Sequence, residues 1–270
     1  MSKEITEIQE LKSKERYGFD DLCRIMALLR SENGCAWDRE QTHKSIRKNL
    51  IEETYEVIEA IDREDFVLMR EELGDLLLQV LFHAQMAKEK AQFDIGGVID
   101  ELCKKLIIRH PHVFGDVSVS GSAEVLKNWD AIKYKTKKVK TSAEAMNSIS
   151  PALPALMRAH KIGEKGAKIG FDFDDSADAL TKVKEEVAEV EEAIKTGSKE
   201  RIGEEIGDLL LAVVNVARLS KVDAEEALYR ANEKFIERFA EVEKNAVEQG
   251  IDIASADRET KEALWKRSKH

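Results

Sequence analysis

Apolar residues along this chain recur three and four positions apart, and period-two alternation is absent. That pattern predicts helices and no strands. The same four helical stretches come twice, in the same order. A first covers about 20–30 or 153–168 and leads into a loop with an aromatic, Trp37 in "CAWD" or Phe173 in "GFDF". A second carries EExxE, at 52–56 and at 185–189. A short polar connection ("DRED", "KTGSKE") leads to a third that opens with ExxD and runs on apolar, as "LLLQVLFHAQMA" or "LLLAVVNVARL". A fourth covers about 96–109 or 224–248.

The two halves are copies. An offset of 133 lays "EETYEVIEAI" (52–61) over "EEVAEVEEAI" (185–194) and carries Glu72, Gly74 and Asp75 onto Glu205, Gly207 and Asp208. Further on the register slips while the order holds: Lys105 and Arg109 answer to Lys234 and Arg238, and Trp129 and Lys133 to Trp265 and Lys269. Between the copies, 133–155 is basic, then small and polar, then carries Pro151 and Pro154. Proline disfavours helix at the residue before it, so a boundary is expected near 140–150, with modules at 1–140 and 141–270. The expected fold is all-α: two tandem four-helix modules, their bundles completed by dimerisation because the long apolar faces after Asp75 and Asp208 need covering on more than one side.

Composition narrows the function. Charged residues make up 36% of the chain, aromatics 6%, and the formal net charge is −10. Duplex binding draws its affinity from neutralised phosphates, so a nucleic-acid partner is not expected. No apolar run reaches membrane-spanning length and the start of the chain is too polar for a signal peptide, so neither a membrane partner nor secretion is expected. Cys23, Cys35 and Cys103 are odd in number and widely spaced, and read as free core thiols in a reducing cytoplasm. His110 and His112 flank a proline and read as loop or packing residues.

The acids carry the chemistry. On a helix, positions three and four apart share a face, so Glu186 and Glu189 project together, as do Glu205 and Asp208 from the next helix. A short connection makes the two helices an antiparallel hairpin able to bring both pairs to one point. Four unpartnered carboxylates would repel there, and a hard divalent cation such as Mg²⁺ resolves the conflict. Glu53, Glu56, Glu72 and Asp75 repeat the pattern. Gly207, costly by about 1 kcal/mol inside a helix, is expected to let a neighbouring helix or a ligand approach. Cations stand nearby in sequence: Lys182, Lys184 and Arg201 ahead of the acids, Lys234 and Arg238 one turn apart on the fourth helix. Acids for Mg²⁺ beside bases for phosphate make a polyphosphate site. Trp265 is either a core anchor for the last helix or a platform for a base.

With EExxE followed by ExxD in both halves, and with "MALLRSENGCAWDREQT", "LPALMRAHKIGEKGAKIGFDF" and "WKRSK" around them, the chain resembles the MazG family over nearly its whole length, in its tandem form. The resemblance implies Mg²⁺-dependent homodimeric hydrolases, similar in fold to the all-α dUTPases. They cleave nucleoside triphosphates, non-canonical ones included, to the monophosphate and pyrophosphate. It implies Glu186, Glu189, Glu205 and Asp208 as metal ligands, Glu185 or Glu204 as general base, and Lys182, Lys184, Arg201, Lys234, Arg238, Trp265 and Lys269 along the nucleotide. Arg201 stands where the family commonly has Lys. A dedicated dUTPase and a non-catalytic nucleotide-binding regulator are the alternatives. The modules are not expected to be equal. At the 133 offset Lys182, Lys184 and Arg201 face Asn49, Ile51 and Leu68. The N-terminal copy therefore lacks three cations near its acids, and the C-terminal copy is expected to carry the activity.

Overall fold

The computed structural model describes residues 3–137 and 141–268; all its regular elements are helices, and no strand occurs among the described residues. The chain divides into two compact units, Met1–Lys133 and Tyr134–His270. The first holds α1 (Lys3–Lys12), α2 (Phe19–Leu29), α3 (Ala36–Glu40), α4 (Arg47–Asp62), α5 (Phe66–Glu89), α6 (Ile95–Arg109) and α7 (Pro111–Phe114), and ends within α8 (Ser122–Lys137). The second holds α9 (Ser142–Asn147), α10 (Ala155–Ala167), α11 (Ser176–Thr196), α12 (Lys199–Leu219), α13 (Ala224–Glu248) and α14 (Arg258–Arg267). The four expected helices are α2, α4, α5 and α6 in one unit and α10, α11, α12 and α13 in the other. The short helices around them were not all foreseen; α1, for example, is held to α2 by Arg24, which donates to Glu7 at 2.8 Å and Glu10 at 3.0 Å.

Each unit is built on one hairpin, α4 with α5 and α11 with α12. The two turns are made alike. Gly197 closes α11 at φ +71°, and Ser198 then caps α12 by accepting from the Arg201 N–H. At the same register Glu64 takes φ +53° and Asp65 caps α5 through Val67 and Leu68. A left-handed glutamate is strained where glycine is not, so the N-terminal copy keeps the turn without its easiest residue. As Pro111 suggests, α6 ends at Arg109 and α7 begins on the proline, whereas α13 continues past Arg238 to Glu248.

The cores differ. In the first unit Met26, Ile46, Leu81, Phe82 and Met86 form a buried cluster between α2 and α5. In the second, buried apolar positions on the hairpin are small (Ala179, Ala193, Ala212, Val214), and the apolar cluster lies instead between α13 and α14. Large apolar side chains remain exposed on α5 (Leu73, Leu77), α12 (Leu210, Val213) and α13 (Phe235, Ile236). No helix among the described residues is long and apolar enough to cross a membrane. The cysteines are free, but only Cys23 is half-buried; Cys35 and Cys103 are exposed, contrary to the expectation of core thiols. His110 packs, its ring edge-on to Trp129 at 4.8 Å.

Candidate active site

Both hairpins bring their acids together. In the second unit, oxygens of Glu186, Glu205 and Asp208 all lie within 4.8 Å of one another. Glu189 stands outside that closest set yet within its field: burial, then Glu186 and Glu205, push its carboxyl above the usual range. In the first unit the closest set is Glu53, Glu56 and Glu72, and Asp75 is the outlying acid. Burial, then Glu56 and Asp75, raise Glu53. The same four positions thus converge twice, with a different member left at the margin each time.

Glu186 is the innermost, at 4% exposure. One of its oxygens accepts from Lys182 at 2.7 Å, while the other, Oε2, is buried with no hydrogen-bond partner. Leaving a buried carboxylate oxygen unmatched costs a few kcal/mol. A hard cation with an all-oxygen ligand set matches it, so the residues present fit Mg²⁺ or a similar ion.

The predicted cations divide. Lys182 spans Glu185 at 2.9 Å and Glu186, and these two bonds raise its pKa well above the usual lysine range. Arg201 lies 3.7 Å from Glu205. Lys184 is exposed and makes no ion pair among the described residues, and Glu204 is likewise exposed beside the cluster. Lys234 and Arg238 are carried on α13, and among the described residues nothing bonds them to the acids. Sequence spacing gave them a shared face but not a place. Trp265 is half-buried against the α13–α14 cluster, its ring 5.1 Å from Phe235. Lys269 lies outside the described residues. Gly207 does not admit a neighbouring helix within the chain: a Cβ there, or at Gly74, would meet nothing within 4 Å.

Two features escaped the sequence reading. Arg218, near the end of α12, is held by two bonds to Asp172 in the "GFDF" loop and by Asn215 at 3.0 Å. It passes over α10 where Gly163 has no side chain; a Cβ there would come within 2.7 Å of its Nε. In the first unit Gln79 is buried on α5 beside Glu53, at the register of Ala212. A lone amide in an apolar run was its only signal.

The model of the MazG nucleotide pyrophosphohydrolase domain matches twice, at residues 41–114 and 167–243, so that both acid clusters fall inside a matched segment. The chain belongs to the MazG family. It is 46% identical over 253 residues to a nucleoside triphosphate pyrophosphohydrolase from Escherichia coli strain K12, covering 93% of this chain and 96% of that one. A nucleoside triphosphate pyrophosphohydrolase/pyrophosphatase MazG from Thermotoga maritima is 43% identical over 251 residues, with 93% and 95% covered. The tandem all-α architecture is therefore that of two MazG modules in one chain.

Proposed function

We propose that this MazG chain hydrolyses nucleoside triphosphates, non-canonical ones included, to the monophosphate and pyrophosphate, with Mg²⁺, in its C-terminal module. The observation that carries the reading is the triad Glu186, Glu205 and Asp208 with an unmatched buried oxygen on Glu186. Glu186, Glu189, Glu205 and Asp208 would hold the cation. When bound, such an ion neutralises phosphate oxygens and lowers the pKa of an attacking water. Glu185 or Glu204, outside the closest set, accepts the water's proton as the bond between the α- and β-phosphates breaks. Lys182 is charged and already at the site; moving to a phosphate oxygen releases Glu185 for that task. Lys184, Arg201, Lys234, Arg238 and Lys269 are the further candidates for holding the triphosphate and the leaving pyrophosphate, and Trp265 for stacking on the base.

The choice of module rests on the cations absent from 49, 51 and 68, and on what lines the hairpin beyond the acids. At the register of Asn215 the N-terminal copy has Phe82, buried in its apolar cluster. The bare apolar faces of α5, α12 and α13 and the open space at Gly207 support a homodimer, in which a second copy covers them. With a net charge of −10 and nucleotides as substrates, the reading includes a cytoplasmic protein without nucleic-acid or membrane partners. A nucleotide panel with Mg²⁺, scored separately for pyrophosphate and orthophosphate, tests the reaction. Pyrophosphate with monophosphate is expected, from dUTP and from other triphosphates alike. Orthophosphate with diphosphate, or full activity in excess chelator, would overturn it.

A further inference from the structure

His43, in the turn ahead of α4, and His83, on α5, face each other through their Nδ1 atoms at 2.8 Å. Their ring planes lie within 3° of each other and their centroids are 5.1 Å apart. That separation exceeds the Nδ1 distance by one ring diameter, so both nitrogens sit on the line between the ring centres and the two rings share a plane. A straight, in-plane contact of this length between two imidazole nitrogens needs a proton between them. The other nitrogen of His83, Nε2, is buried without a partner. We propose that His43 and His83 are a proton-shared latch that fastens the turn before α4 to α5, survives the first added proton and opens with the second.

The proton count sets the order of events. With both rings neutral, one Nδ1 carries the shared hydrogen and the other accepts it. A first added proton goes to the Nε2 of the donating ring, and the bond then runs from an imidazolium to a neutral imidazole, which strengthens it. A second finds only the accepting Nδ1; it removes the acceptor and sets two cations face to face. Such a pair gives up its protons in two separated steps, and only the lower one opens the contact. Burial, then the charge of His43, hold the His83 imidazole below the usual histidine range. The stability that the neutral ring contributes is therefore complete above about pH 6.5 and lost as pH falls through the lowered value. Other charges on the elements packed around it are engaged or turned outward. Arg30 on α2 is tied to Glu89 by two bonds of 2.8 Å, Glu53 on α4 is met by Gln79, and Lys44 and Arg47 beside the turn are exposed.

The turn carries Ile46, which is 2% exposed and packed with Leu81, Phe82 and Met86 in the core cluster. Arg30 donates to the carbonyls of Asp38 and Gln41 whatever the state of the histidines, so the loosening is confined to 42–46 and the cluster beneath. At the 133 offset the C-terminal module has Ser176 and Val216 and lacks the latch. Acid too mild to protonate carboxylates thus loosens one module and spares the other.

The test is a titration of the full-length chain with isotope-labelled histidine, followed by nuclear magnetic resonance, with amide exchange read beside it and corrected for the intrinsic effect of pH. His43 and His83 should titrate in two steps. Protection of 42–46 should hold through the upper step and fall by about fivefold to tenfold at the lower, the worth of one hydrogen bond, while the α11–α12 hairpin keeps its protection. His43→Ala should show the loosened turn already at neutral pH. His43→Asn puts an amide in the place of Nδ1, and because either end of that amide can face His83, the turn should stay fast through the lower step. Two histidines that titrate independently near the ordinary value, or a turn that loosens in His43→Asn as it does in the wild type, would overturn the proposal.

Discussion

Glu205→Gln should make the metal-free protein more stable while weakening its response to Mg²⁺. The Glu205 side chain is 15% exposed, and its oxygens share a 4.8 Å sphere with those of Glu186 and Asp208. At that separation two unit charges repel by roughly 3.5 kcal/mol at an effective dielectric of 20. The figure is an upper bound for Asp208, which is exposed. Against this stands the attraction of Arg201, 3.7 Å away but half exposed, so that screening limits it to at most about 1 kcal/mol. The balance leaves a net gain of about 2 kcal/mol when the charge is removed and the shape kept. In a unit of this size that raises the melting temperature by roughly 5–10 °C. Thermal unfolding by circular dichroism, in chelator and in millimolar Mg²⁺, reads both effects. The wild-type chain should melt higher in Mg²⁺, and the variant should melt higher than wild type in chelator with little further rise. A variant that melts lower in chelator, or keeps the full Mg²⁺ shift, would show that these acids neither repel nor bind the ion as argued.

Glu186→Ala/Glu189→Ala should silence pyrophosphate release while Glu53→Ala/Glu56→Ala leaves most of it; the reverse result would place the reaction in the other module. Asp172→Asn should cost about 2–3 kcal/mol, because Arg218 stays largely buried and loses its charge partner. The bond from Arg218 holds the Asp172 carboxyl below its ordinary range. Its contribution to stability is therefore complete above about pH 4 and fades as pH falls through the lowered value. Acid unfolding of the wild type should show that loss and the Asn variant should not. Light scattering at micromolar concentration should give twice the chain mass, and a monomer would count against the homodimer.

Periodicity and the EExxE…ExxD spacing were enough to foresee the hairpins and the convergence of their acids, because helix geometry alone puts those side chains on facing stripes. Which three acids come closest was not legible. That depends on how the two helices cross and on which side chains are buried, and the two copies settle it differently, with Asp208 inside its set and Asp75 outside. The same limit applies to Lys234 and Arg238: one turn apart on α13, they share a face wherever that helix lies, but tertiary packing decides what the face meets. Gly207 pointed to a close neighbour that the single chain does not contain. Gln79 and Arg218 were visible as polar residues within or at the end of apolar runs. Their partners, Glu53 and Asp172, are 26 and 46 residues away.

The slot at Gly163 has a consequence for how the second unit opens. Where α2 meets α5 through an apolar cluster, α10 meets α12 at this point through a glycine and a guanidinium that also ties down the 169–175 loop. Contact of that kind lasts only while Asp172 is charged, and ions screen it little because both partners are mostly buried. The loop ahead of α11 should therefore loosen as acid protonates Asp172, and its protection against amide exchange should fall well before that of the hairpin. Acidity, and not only the nucleotide, would then set how often this end of the module is open.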